Sequence, residues 1–254
     1  MLFRSALVAQ ASLSAQDNYE IQVYSAETTP PRATMIELHS NFTVSGSRQI
    51  EDGVLPTNHA WHETLEITQG FTPWFETGFY IFTSARSGQG WQFVGTHVRP
   101  RFRVPERWKW PVGVSLSNEI GYQRRQFATT TWSWEIRPIL DKKMGKVYLS
   151  FNPTFDHALQ GPETDRGFAF SPNFKVSYDF TKKVAGGLEY YGAYGPVGSV
   201  DAFRDQQQQF IPVIDLDVSP KWEFNFGVGV GVTRSTDHLL IKAIVGRRFG
   251  RSHP

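Results

Sequence analysis

Alternation is the feature that most constrains this chain. From Ala33 onward it repeats one unit, a run of about ten residues in which apolar and polar side chains alternate, followed by a turn rich in Gly, Pro, Asp, Lys or Ser. In residues 222–233, WEFNFGVGVGVT, one face carries Trp222, Phe224, Phe226, Val228, Val230 and Val232. The other carries Glu223, Asn225, Gly227, Gly229, Gly231 and Thr233. A strand turns successive side chains to opposite faces, whereas a helix repeats every 3.6 residues. No stretch here fits the helical period as well. Residues 147–156 and 168–179 follow the same rule. Twelve strands are expected, at 33–44, 58–69, 74–84, 91–103, 111–122, 130–140, 146–157, 167–179, 184–195, 209–218, 221–233 and 238–249.

Alternating strands build either a soluble sandwich or a barrel with its apolar face in lipid. The apolar faces decide between them. Across all twelve, the only charged residues are Glu63 and Arg247, both near a strand end. A charge at the bilayer midplane costs roughly 2–4 kcal/mol and far less at the interface. Outward aromatics collect at one level in Phe75, Phe102, Tyr178, Trp222 and Phe249, and at the other in Trp61, Tyr122, Trp132 and Tyr194. Two aromatic girdles around an aliphatic band are the interfacial signature of a membrane barrel. The expected fold is therefore all-β, a closed antiparallel up-and-down transmembrane β-barrel of about 12 strands spanning 33–249. No apolar run reaches the roughly 18 residues of a transmembrane helix, and barrel strands need none.

Short connections at 70–73, 141–145, 180–183 and 219–220 alternate with longer ones at 45–57, 85–90, 158–166 and 196–208. Short turns inside and long loops outside place the end of the last strand, Phe249, at the periplasm. An even strand count leaves residues 17–32 over, and these are expected to form a periplasmic or lumen-inserted arm. Residues 1–16 resemble a secretory signal peptide with a short start, and 250–254 form a C-terminal extension. Gln206–Gln209 reads as a solvated loop. Pro100, Pro138, Pro153, Pro172 and Pro212 fall inside proposed strands, and in a closed wall each removes an N–H that no edge can hide. Pro153 and Pro172 are the hardest to absorb into bulges at strand ends.

Two segments carry a family resemblance: YEIQVYSAETTPPRATMIELHSNF at 19–42 and GVGVGVTRSTDHLLIKAIVGRRF at 227–249. Both resemble the bacterial outer-membrane β-barrel family of transporters linked to the meta-pathway of phenol degradation. The resemblance runs over most of 19–249 and implies passage of small, aromatic or hydrophobic solutes, with no binding residues to carry over. The final strand ending in Phe249 is similar to the signal read by the barrel assembly machinery.

The expected inward faces carry both signs of charge. The residues expected to line a pore are Glu66, Glu76, His97, Arg99, Arg101, Arg103, Glu119, Glu135, Arg137, Glu223 and Lys242. Arg99, Arg101 and Arg103 form a ladder on one side of one strand. Such a ladder either sets a transverse field that selects solutes by charge or pairs with Glu76 and Glu119 to brace the wall. Bracing is the favoured reading. Asp215, Asp217 and Glu223 are expected to pair with Lys221 or water, and Gly227, Gly229 and Gly231 to keep the lumen open. With 26 Lys and Arg against 24 Asp and Glu, the basic excess expected of a nucleic-acid-binding protein is missing. Without cysteine, disulfides and thiolate metal sites are ruled out.

No catalytic residue, metal ligand or cofactor is expected. His39 and Ser40 point to opposite faces, and His59 and His62 diverge on a strand. The expected function is a passive outer-membrane channel for small solutes, with lipid and the assembly machinery as partners. An outer-membrane hydrolase and a secreted carbohydrate-binding sandwich are the alternatives.

Overall fold

The computed structural model describes residues 18–250. The candidate signal peptide at 1–16, Asp17 and the extension beyond Gly250 lie outside the described residues. Twelve strands are present: β1 (Thr34–Ser45), β2 (Trp61–Thr72), β3 (Phe75–Arg86), β4 (Gly90–Arg103), β5 (Gly113–Gln123), β6 (Trp132–Met144), β7 (Val147–Gln160), β8 (Phe168–Asp179), β9 (Val184–Ala193), β10 (Gln207–Ser219), β11 (Trp222–Gly231) and β12 (Leu239–Phe249). Each pairs antiparallel with its neighbours in sequence, and β1 pairs with β12 from Thr34↔Phe249 upward, which closes the barrel. Closure removes every sheet edge and excludes a sandwich.

Burial is inverted relative to a water-soluble domain. Along β2, His62, Thr64, Glu66 and Thr68 are buried while Trp61 and Leu65 are exposed. Leu38, Phe79, Val98, Leu116, Ile120, Phe226, Val228 and Ile241 are likewise exposed around the wall. An apolar belt outside polar faces inside is stable in lipid, where barrel strands satisfy their own backbone groups. The belt is bounded by aromatic clusters: Phe75 stacks on Phe102 with centroids 4.8 Å apart, and Tyr122 meets Trp132 at 5.4 Å. Of the two outward charges expected from the sequence, Glu63 accepts a 2.7 Å hydrogen bond from Ser40. Arg247 lies over the rings of Trp222 and Phe249, at 5.0 and 4.8 Å.

Two connections depart from the expected alternation of lengths. β3 and β4 stay paired to Arg86↔Gly90, so only 87–89 remain between them at the long-loop end. At the turn end, 104–112 is long and carries a 3₁₀ turn at Glu106–Trp108. The prolines break ladders without opening the barrel. Pro138 keeps its pairing to Leu116 and Pro153 its pairing to Pro172, but the ladder between β6 and β7 lapses where 137–139 face 152–154. Pro100 and Pro212 likewise keep one neighbour each, Thr77 and Leu188, and interrupt the other ladder. The tract at Gln206–Gln209 is not a solvated loop. Gln207–Gln209 open β10, and Gln208 is buried, bonded to Gln206 and the Tyr190 hydroxyl.

Candidate functional site: an occupied lumen

Residues 18–33 run through the barrel from the long-loop end to the turn end. Asn18 donates to Asp237 in the β11–β12 connection (2.9 Å), and its carbonyl accepts from Asn41 (2.8 Å). Lower down, Thr64 donates to the Tyr19 carbonyl at 2.6 Å and Lys242 to that of Ile21 at 2.8 Å. Asn152 accepts from the Tyr24 amide at 2.7 Å, and Ser150 donates to the Tyr24 carbonyl at 2.6 Å. Arg101 then binds the carbonyls of Ser25 and Glu27, Asp141 accepts from the Ala26 amide, and Glu76 from the Thr29 amide. Arg32 returns the chain to the wall by donating its amide to Gly70. An extended segment buried away from water must have its N–H and C=O groups answered. Here side chains of the wall answer the carbonyls of residues 18, 19, 21, 24, 25 and 27 and the amides of 24, 26 and 29, in place of a strand partner.

The apolar side chains of the segment pack on apolar patches inside the wall. Ile21 and Val23 join Tyr191, Ile211, Val213 and Leu240, Tyr19 joins Tyr80, Phe82, Val94 and Phe127, and Tyr24 and Ala26 join Ile139. The interior is therefore partly a dry core, not wholly hydrated or ionic. The glycines of β11 do not hold the lumen open. A Cβ at Gly227 would lie 2.6 Å from Ile211, and one at Gly229 2.8 Å from Leu240, so their absence makes room for the patch that receives Ile21 and Val23.

Tyr24 is the hub. Arg99, Arg137 and Arg101 lie 4.5, 5.0 and 5.6 Å from the centre of its ring. Its hydroxyl donates to Glu20 and lies 3.3 Å from the Tyr80 hydroxyl. A guanidinium over an aromatic face is worth about 0.5 to 2 kcal/mol, most when desolvated.

The eleven residues singled out from sequence fall into five groups. Arg99 pairs with Glu66 at 2.5 Å and Arg101 with Glu76 at 2.6 Å, while Arg137 bridges Glu135 at 2.7 Å and Glu20 at 3.3 Å. His97 pairs with Glu119, so Glu119 is not a partner of the arginine ladder. Arg103 leaves the ladder for the exposed Glu106. On the opposite wall Lys242 pairs with Glu189 at 2.6 Å, and Lys175 bridges Glu189 and Asp215, which is therefore not paired with Lys221. Glu223 lines a cavity of about 510 Å³ at the turn end with Arg248 and Lys183. A second cavity, of about 570 Å³, opens at the long-loop end above Tyr19, His62 and Tyr191. Sequence reasoning missed Tyr24 and Glu20 as members of the site. The signal for them was the alternation of Tyr19, Ile21 and Val23 with polar residues, which marks a segment with two kinds of surroundings.

No family model matches the chain, and no curated protein matches it. Among solved structures it is similar to the KdgM porin in complex with disordered oligogalacturonate. That likeness has 12% identity and a TM-score of 0.53, and covers 86% of this chain and 99% of that one. It is also similar to the NanC porin, with 8% identity and a TM-score of 0.52, over 85% of this chain and 100% of that one. These likenesses are of fold. They give the porin-like barrel, and nothing in them links the chain to phenol degradation.

Proposed function

We propose that the protein is an outer-membrane channel for passive passage of small aromatic solutes, and that residues 18–32 are a tethered occupant of its lumen. The observation that carries this reading is the setting of Tyr24. Its side chain is a phenol, held on its faces by Arg99, Arg101 and Arg137 and at its hydroxyl by Glu20. A pocket that holds one phenol ring this way offers the same contacts to a free one once the segment moves aside. The remaining lumen residues, among them Glu66, Glu76, His97, Glu119, Glu135, Glu223 and Lys242, then line the path. The exposed apolar belt supports placement in the outer membrane. The last strand, ending in Phe249, suits delivery by the barrel assembly machinery. Catalysis at His39–Ser40 has no geometric support, since His39 faces the lumen and Ser40 bonds the outward Glu63.

The test is uptake into proteoliposomes. Deleting residues 18–26 is expected to leave a barrel that migrates faster unheated than boiled, conducts more, and admits phenol faster than a neutral sugar of similar size. A folded deletion variant that passes no solute refutes the channel. One that passes both solutes equally refutes the aromatic preference.

A further inference from the structure

Four adjacent strands present one inward row. Glu223 on β11 stands beside Gly246 on β12, Gly246 beside Glu37 on β1, and Glu37 beside Glu66 on β2. Like charges directly opposite on neighbouring strands repel, and Glu37 and Glu66 are both buried. Gly246 has no side chain to separate the row, and the Glu223 side chain lies over it. Arg99 engages Oε1 of Glu66. Among the described residues no ion pair within 4.0 Å holds Glu37. Three carboxylates therefore share the row, and among the described residues the ion pairs within 4.0 Å reach Glu66 alone, from Arg99 and His39.

His39 lies two residues beyond Glu37 on the same face of β1 and is fully buried, at 0% exposure. Its Nδ1 makes no hydrogen bond, and the one polar group at its Nε2 is Glu66. Its Nε2 lies 3.3 Å from Oε2 of Glu66, the oxygen that Arg99 leaves aside. One ligand atom each from Glu37, His39 and Glu66 lie within 4.8 Å of one another. Gln22, on the segment that threads the lumen, touches the Glu37 side chain, and its Oε1 is also buried without a partner.

We propose that Glu37, His39 and Glu66 bind one divalent transition-metal cation of the zinc class, with the side-chain amide of Gln22, which already touches Glu37, as the neighbouring group that can complete the shell. An imidazole with two carboxylates and no thiolate suits Zn²⁺ or Mn²⁺, whereas Ca²⁺ takes six to eight oxygens. Ligands about 2.1 Å from a metal stand about 3.4 Å apart in a tetrahedron and about 4.2 Å across an octahedron. The side chains need draw in only by roughly an ångström. The cation would relieve the repulsion between Glu37 and Glu66, take the His39 imidazole from Glu66 as a ligand, and pin the threaded segment to the wall at Gln22. None of this rests on the channel reading.

The test uses the folded full chain in detergent, incubated with Zn²⁺, desalted and assayed for metal by mass spectrometry. One equivalent is expected to stay with the protein, and Glu37→Gln and His39→Gln are each expected to bring it to background, while the exposed Glu106→Gln leaves it unchanged. Folded protein that retains no zinc overturns the site, as does equal retention in both lumen variants. If those variants do not fold, X-ray absorption at the zinc edge of the unaltered protein decides. A nitrogen and oxygen shell with one imidazole supports the site, and a shell of water alone, or of two imidazoles, overturns it.

Discussion

Replacing Tyr24 with alanine empties the guanidinium cage while leaving every ladder hydrogen bond of the wall in place. The backbone bonds of residue 24 to Asn152 and Ser150 remain available. What disappears is a fully buried ring, three cationic neighbours and the hydroxyl bond to Glu20. Truncating a buried aromatic side chain to alanine costs about 3–5 kcal/mol. Here that loss falls on the docked segment and not on the barrel. At 1.36 kcal/mol per decade, the ratio of undocked to docked segment rises by about two to four decades. Tyr24→Phe keeps the ring and removes only the hydroxyl, a loss of about 0.5–3 kcal/mol depending on the charge of its partner. Single-channel recording in planar bilayers is expected to order the proteins unmodified, Tyr24→Phe, Tyr24→Ala by time spent open, with the same heat-modifiable band in all three. If Tyr24→Ala opened no more often than the unmodified protein while deletion of 18–26 opened freely, Tyr24 would not be what holds the segment. If Tyr24→Ala failed to fold, the segment would be part of the core.

Two further outcomes test the assignment of faces and the role of the ladder. Phe226→Arg puts a charge on the exposed belt and is expected to lower stability in a folding titration by about 2–4 kcal/mol; Asn225→Arg, beside Asp215 in the lumen, is expected to be tolerated, and equal effects would refute the assignment of the faces. Arg99→Gln and Arg101→Gln each take the nearest cation from a buried carboxylate, leaving Glu66 with His39 and Glu76 with Arg99 at 3.9 Å, and are expected to cost up to about 3–5 kcal/mol, whereas Arg103→Gln, whose partner Glu106 is 80% exposed, is expected to cost under about 1 kcal/mol in the same denaturation series.

The wall was legible because it depends on one local rule. Period 2 fixes which side of a strand meets lipid, and a residue such as Val228 or Glu66 declares its side from its immediate neighbours. The contents of the lumen follow no such rule. Glu119 and Arg101 are both inward, yet His97 stands nearer Glu119 and captures it, while Glu76 faces Arg101 directly across the β3–β4 ladder. Which of several inward charges pair depends on the register of strands distant in sequence. Ile211, Val213 and Leu240 also broke the expectation of polar inward positions. They face a segment that behaves as an additional apolar surface inside the barrel, and only its insertion explains them. The prolines were tolerated because a strand in a barrel has two ladders and can lose part of one.

The segment that fills the lumen is covalently joined to β1 at the turn end, so leaving the cage is not leaving the molecule. A displaced tether of this length stays within a few tens of ångströms of its site, and such short linkers give effective concentrations of the order of millimolar. Tyr24 would therefore compete with an incoming phenol as though dissolved beside it at that concentration. A solute with contacts no better than those of the tyrosine side chain has to exceed millimolar levels before it occupies the cage half the time, because Ile21, Val23 and the backbone bonds also hold the segment. Trace amounts would leave the path shut, and a richly supplied environment would hold it open.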